Sequence, residues 1–122
     1  PPTFTQYGAI AALEEGEGFL KEQVDLWRSN RDLVVKRFNK IGGVHLAYPT
    51  ATFYAFFKVD GFEDCKELTK KFIDEAGVLL SPGCAFGKEA KGYIRLCFAV
   101  SERRLEEALD RIETVIKNSR KA

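Results

Sequence analysis

Three segments of the chain carry apolar residues at the spacing of an amphipathic helix. In residues 19–41, 64–76 and 101–118 these residues recur three and four positions apart, so they share one helix face. Such a face is buried against another layer, and each segment therefore predicts a helix packed on a core. The positions are Leu20, Val24, Trp27, Val34, Phe38, Ile41, Cys65, Leu68, Phe72, Ala76, Leu105, Ala108, Leu109, Ile112, Val115 and Ile116.

Four shorter segments are rich in β-branched, aromatic or other apolar residues and predict strands. They cover residues 44–47, 52–59, 78–81 and 93–100. The order of elements contains few alternating strand–helix pairs. It favours an α+β fold, a two-layer sandwich of helices on one face of a small mixed β-sheet, over a doubly wound nucleotide-binding fold.

Residues 4–15 predict another helix, but its apolar side chains are not confined to one stripe, which is typical of a helix covered on several sides. The chain also begins Pro-Pro and contains no methionine. We therefore expect a piece of a longer protein, with a joining segment (1–18) and a folded domain (19–122). The joining helix should expose an apolar patch around Tyr7, Ile10 and Leu13.

The charge balance excludes several classes of function. Nineteen basic and eighteen acidic residues give a net charge of +1, which argues against nucleic-acid binding and against a polybasic membrane-binding surface. No apolar run approaches the roughly 20 residues that span a bilayer.

The three cysteines form no CxxC pair, so we expect no disulfide framework or zinc site and a reducing, cytoplasmic setting. Cys84 lies in a Gly/Pro loop, but His45 is the only histidine that could serve it as a base.

Arg95 is the residue that most clearly suggests a binding site. Alternation in the strand 93–100 puts Ile94 and Leu96 on one face and Arg95 on the other, among mostly apolar neighbours. A partly buried guanidinium is costly unless it meets an anion. Two interpretations follow: a structural ion pair or simple exposure, or a planar fork that binds a carboxylate or phosphate.

Two motifs resemble the C-terminal part of class I/II aminotransferases, the aspartate-aminotransferase-like, fold-type I enzymes that use pyridoxal phosphate (PLP). The first is Val-Leu-Leu-Ser-Pro-Gly-Cys-Ala-Phe-Gly (78–87), and the second is Gly-Tyr-Ile-Arg-Leu-Cys-Phe-Ala (92–99). Residues 1–7 are similar to the start of the helix after the family's cofactor-lysine region. Residues 49–54 are similar to its Pro-x-Gly-Ala-Phe-Tyr segment, with Ala51–Thr52 in place of Gly-Ala. That variant resembles the subgroup of alanine, aspartate and diaminopimelate aminotransferases.

The resemblance implies that Arg95 binds the α-carboxylate of the amino-acid or 2-oxo-acid substrate. It implies that residues 1–18 are the joining helix from a large domain and that residues 19–122 are the C-terminal small domain of a cytoplasmic homodimer. Tyr54 and Phe86 would line the cleft or the domain seam, or else pack in the core.

The resemblance also implies that the lysine and the other PLP-binding residues lie upstream of Pro1. We therefore expect the parent to be the enzyme, and this chain alone to bind no PLP and to be inactive.

Two other classes of protein remain open at this stage. The chain could be a stand-alone α+β amino-acid-binding or regulatory module, with Arg95 at a dimer interface. It could also be an interaction domain in which Arg95 forms a structural ion pair.

Overall fold

The computed structural model of the chain describes residues 1–120, which form four α-helices and four short strands. In chain order the main elements are α1 (Thr3–Glu15), α2 (Glu17–Phe38), β1 (Val44–Leu46), β2 (Tyr54–Val59), α3 (Cys65–Lys71), β3 (Ser81–Pro82), β4 (Tyr93–Cys97) and α4 (Glu102–Ser119). A π-helical turn, Phe72–Ala76, extends α3, and two 3₁₀ turns, Gly83–Phe86 and Lys88–Ala90, connect β3 to β4. Among residues 1–120, no helix is both long and apolar enough to cross a membrane.

The four strands form one sheet in the order β1-β2-β4-β3. Every pairing is antiparallel, whereas the sequence predicted a mixed sheet. The reason is the position of β4. The connection through α3 makes β2 and β3 run in the same direction, but β4 lies between them, so no two parallel strands are neighbours.

The core lies between the sheet and helices α2, α3 and α4, which confirms the predicted α+β architecture. These helices pack on the sheet face that carries Ala55, Phe57, Ile94 and Leu96, all of which are buried. The amphipathic periodicity of residues 101–118 is confirmed by α4. Its buried residues are Leu105, Leu109, Ile112, Val115 and Ile116.

The sheet edge beside β4 differs from the prediction of a buried strand over 78–81. Only Ser81 and Pro82 pair with β4, and the side chain of Leu79 is 83% exposed. After Cys97, where β4 ends, the backbone forms hydrogen bonds outside the β3–β4 pairing. The Phe98 N–H donates to the Phe53 carbonyl oxygen, and the Phe98 carbonyl oxygen accepts from Asn30. The predicted strand 93–100 therefore ends three residues early.

Helix α1 has no buried residue, although it is rich in apolar side chains. Tyr7 is 70%, Ile10 49% and Leu13 83% exposed, which confirms the predicted apolar patch. Only Gly16, in a right-handed helical conformation, separates α1 from α2. The division into 1–18 and 19–122 stays a prediction.

Candidate functional site

Arg95 lies at the centre of the sheet face that the helices leave uncovered. It pairs with Phe56 of β2 on one side and with Ser81 of β3 on the other. Its neighbours Ile94 and Leu96 are buried in the core, so the Arg95 side chain points to the opposite face, where it is half-buried. This confirms the position that the strand alternation predicted.

Two aromatic rings form cation–π contacts with the guanidinium group of Arg95. Its Cζ lies 4.2 Å from the ring centre of Tyr54 and 3.9 Å from that of Phe86. Tyr54 begins β2, and Phe86 ends the 3₁₀ turn that follows β3. The structure thus brings together the three residues singled out in the sequence. Neither ring belongs to the core, because Tyr54 is half-buried and Phe86 is 47% exposed.

No carboxylate among residues 1–120 forms an ion pair with Arg95. Arg37, by contrast, contacts both Asp110 at 2.6 Å and Glu113 at 2.9 Å. The alternative of a structural ion pair for Arg95 therefore finds no support in this part of the chain. The Arg95 Cζ lies over both rings, and the N–H groups of the guanidinium are the donors with which it could bind an anion.

Further aromatic residues extend this surface along the sheet. The rings of Phe56 and Tyr93 stack with centres 5.1 Å apart, and the rings of Phe56 and Phe86 lie nearly perpendicular with centres 6.3 Å apart. The Lys58 Nζ lies 4.3 Å from the ring centre of Tyr93. Sequence reasoning missed these residues. The signal was available, because alternation puts Tyr54, Phe56 and Lys58 on one face of β2.

A strained turn leads into Tyr54. Thr52 is the only residue other than glycine with a positive φ (67°) in the described part of the chain, and its Oγ1 accepts a bond from the Phe53 N–H at 2.6 Å. A left-handed conformation costs an ordinary residue about 1–2 kcal/mol. The ring of Phe53 then packs between Trp27 and Tyr54, at 5.0 Å and 4.6 Å. This packing connects α2 to the ring that covers Arg95.

Asn30 is the second feature that sequence reasoning missed. It is fully buried, and its Nδ2 donates to the carbonyl oxygens of Phe98 and Val100, both at 2.8 Å. These bonds tie α2 to the segment that directly follows β4. The signal was a polar residue within an apolar stripe, three positions after Trp27 and four before Val34.

No lysine of residues 1–120 is buried. A Schiff base with PLP requires a lysine amine held against the cofactor ring. The expectation that this chain alone binds no PLP stays a prediction. Cys84 also lacks a histidine base. His45 lies on β1, at the opposite edge of the sheet from β3, where its Nε2 contacts Asp60 at 2.8 Å.

Comparisons with known proteins agree with this description. An LL-diaminopimelate aminotransferase from Oleidesulfovibrio alaskensis is 36% identical over 110 residues, which are 90% of this chain and 28% of that protein. The solved structure of an alanine aminotransferase from Pyrococcus furiosus matches with a TM-score of 0.87 and 34% identity, over 97% of this chain and 30% of that one. A PLP-bound relative from Clostridium difficile matches with a TM-score of 0.79 and 28% identity, over 87% of this chain and 28% of that one.

The chain thus spans less than a third of the length of these relatives. The family model for aminotransferase class I and II matches residues 2–112, nearly the whole chain. The chain therefore belongs to the class I and II aminotransferase family.

Proposed function

We propose that this chain is the C-terminal small domain of a PLP-dependent aminotransferase and that Arg95 binds the α-carboxylate of the substrate. The observation that carries the proposal is the half-buried guanidinium between Tyr54 and Phe86, with no ion-pair partner among residues 1–120. Arginine presents two parallel N–H donors that match the two oxygens of a carboxylate. The reaction transfers an amino group from an amino acid to a 2-oxo acid, and both substrates carry this carboxylate.

In this proposal the chain positions the substrate, and the large domain supplies the rest of the site. When bound, PLP acts as the electron sink of the reaction. Arg95 fixes one end of the substrate and thereby limits how the reacting carbon is presented. Tyr54 and Phe86 keep the guanidinium plane in one orientation.

The exposed apolar patch of α1 supports a large-domain partner. Tyr7, Ile10 and Leu13 lie on a helix with no buried residue, and an apolar patch of this kind marks an interaction surface. We propose that the large domain covers it and that the complete enzyme is a cytoplasmic homodimer. The isolated chain should show no aminotransferase activity when PLP is added.

Arg95→Ala in the complete enzyme tests the proposal. The variant loses a bidentate charge-assisted contact and leaves the substrate carboxylate against aromatic side chains. Hydrogen bonds to charged groups contribute about 1.5–3 kcal/mol, and loss of one partner of a buried pair costs about 2–5 kcal/mol. We expect kcat/KM for both the amino acid and the 2-oxo acid to fall by on the order of 10²–10³. The donors to assay are alanine, aspartate and LL-diaminopimelate.

Three controls separate substrate binding from a structural role. Arg95→Lys should recover little activity, because an ammonium group lacks the planar fork. Arg104→Ala, at an exposed arginine of α4, should leave kcat/KM unchanged. The slow reaction of a plain amine without a carboxylate should be almost indifferent to Arg95→Ala, and the absorbance of bound PLP should be retained. Equal losses for the amine and the amino acid would overturn the proposed role of Arg95.

A further inference from the structure

Two cysteines from distant parts of the sequence face one cavity. Cys65 is the first residue of α3 and is 2% exposed, whereas Cys84 is half-buried in the 3₁₀ turn Gly83–Phe86. Both line an open cavity of about 470 Å³, together with two acidic residues, Glu63 and Asp64, and two lysines, Lys66 and Lys91. Cys65 therefore lies on the core side of the pair, and Cys84 is the thiol that small solutes can reach.

The surroundings of the two sulfur atoms differ. Burial acts to raise the pKa of Cys65, but hydrogen bonds from the Cys84 thiol and from the backbone N–H groups of Cys84 and Gly92 outweigh it, so this pKa lies below its ordinary value. The hydrogen bond to Cys65, together with burial, raises the pKa of Cys84. Cys65 is thus the more readily deprotonated thiol of the pair, and Cys84 is the more accessible one.

We propose that Cys65 and Cys84 are a thiol modification site, at which the two residues form a reversible intramolecular disulfide by exchange with a small-molecule disulfide such as oxidised glutathione. In the first step the Cys84 sulfur attacks the glutathione disulfide, forms a mixed disulfide and releases one reduced glutathione. In the second step the Cys65 thiolate attacks the Cys84 sulfur and releases the second glutathione. Two protein thiols lose two electrons and two protons, and one glutathione disulfide gains them.

The site is connected to Arg95 through a single short turn. Cys84 and Phe86 lie two residues apart in the turn Gly83–Phe86, and the Phe86 ring packs on the guanidinium group. The bond would join this turn covalently to α3. The third cysteine provides an internal control, because Cys97 lies on the open face of β4, away from the core that contains Cys65.

The test treats the folded 122-residue chain with oxidised glutathione, traps free thiols with an alkylating agent and maps the tryptic peptides by mass spectrometry. The three cysteines fall in three different peptides. We expect a cross-link between the peptides of Cys65 and Cys84, with loss of two hydrogen atoms and reversal by dithiothreitol. Cys97→Ala should form the same cross-link.

Two variants test the order of the steps. Cys65→Ala should accumulate a stable glutathione adduct on Cys84, because the resolving thiol is absent. Cys84→Ala should leave Cys65 unmodified in the folded chain, because the oxidant cannot reach it directly. Circular dichroism verifies that each variant is folded. The peptide map of the oxidised wild-type chain tests the disulfide itself without any substitution. Adducts on Cys84 and Cys97 without a cross-link, or a cross-link that forms only in denaturant, would overturn the proposal.

Discussion

Asn30→Ala removes the buried side chain that ties α2 to the segment after β4. In the wild type, Nδ2 donates to the carbonyl oxygens of Phe98 and Val100, each at 2.8 Å, and alanine leaves both without this donor. A buried acceptor without a partner costs about 1–3 kcal/mol. The bond to Val100 is only partly buried, so water compensates for part of the loss at that carbonyl.

We expect the free energy of unfolding to fall by about 2–4 kcal/mol, out of the roughly 5–15 kcal/mol of a typical domain. Removal of Asn30 Oδ1, a buried atom without a hydrogen-bond partner among residues 1–120, offsets part of the cost. At a urea dependence of about 2 kcal/mol/M, the unfolding midpoint should decrease by about 1–2 M with an unchanged slope.

The assay is urea unfolding followed by the fluorescence of Trp27, the single tryptophan, which packs 5.0 Å from Phe53 on the same helix–sheet interface. Asn118→Ala, at an exposed asparagine of α4, is the matched control. Coinciding midpoints for the two variants would refute the reasoning, because the buried bonds would then contribute nothing to stability.

Asn30→Asp adds a pH-dependent version of the same test. The introduced carboxylate would face the Phe98 and Val100 carbonyl oxygens in a buried position, so its folded-state pKa would rise above the unfolded value of about 3.9. The protonated form can still donate one hydrogen bond. Compared with that of Asn30→Ala, the free energy of unfolding of Asn30→Asp should therefore be highest below a pH of about 3.9. It should decrease as the pH rises toward the folded-state pKa of the new carboxyl group. A pH-independent difference between the two variants would contradict this.

Three further changes test other parts of the structure, each by urea unfolding. Gly83→Ala would place a Cβ 2.3 Å from the Ala90 carbonyl oxygen and should destabilise the chain by about 1–3 kcal/mol. Asp64→Ala removes the cap that accepts bonds from two backbone N–H groups of α3 and should cost about 0.5–2 kcal/mol. Hydrogen bonds from Lys117 and Arg37 lower the pKa of Glu113 in the folded chain. The ionised carboxylate therefore stabilises the fold above the unfolded pKa of about 4.3. This stabilisation is lost as the pH falls through the lower folded-state pKa. Glu113→Gln should therefore be less stable than the wild type at pH 7 and approach it in acid.

Each of these changes has a control at an exposed position. Gly8→Ala meets no atom within 4 Å of the new Cβ and should not destabilise the chain. Asp74→Ala and Glu106→Gln replace exposed carboxylates that form no ion pair within residues 1–120. A variant that behaves like its control would show that the contact named for it does not stabilise the fold.

Local periodicity was enough to predict the position of Arg95. The alternation of residues 93–100 separates Ile94 and Leu96 from Arg95, and the sheet keeps this separation because a strand exposes successive side chains on opposite faces. The helical period of α4 was equally informative. Both signals are contained within one element, so they do not depend on which element packs beside it.

The surroundings of Arg95 depend on contacts that no local pattern contains. Phe86 ends the 3₁₀ turn that directly follows the two-residue strand β3, and from this turn its ring contacts the guanidinium. The apolar run 78–81 predicted a buried strand, yet Leu79 is exposed because the pairing with β4 stops at Ser81. The antiparallel sheet likewise follows from where β4 inserts, which is a property of the tertiary fold.

If Arg95 binds the substrate carboxylate as proposed, its contacts with two rings in place of a carboxylate partner favour reversible binding. A pre-existing ion pair would have to be broken before a carboxylate could bind, and losing the partner of a buried charge costs about 2–5 kcal/mol. The rings of Tyr54 and Phe86 attract the guanidinium by about 0.5–2 kcal/mol, and neither ring contains a carboxylate that would compete with a ligand for the guanidinium charge. They restrict its orientation without neutralising its charge. Phe86 is 47% exposed and lies 3.9 Å from the Arg95 Cζ, and in the proposed function its ring keeps this cation ordered for the substrate.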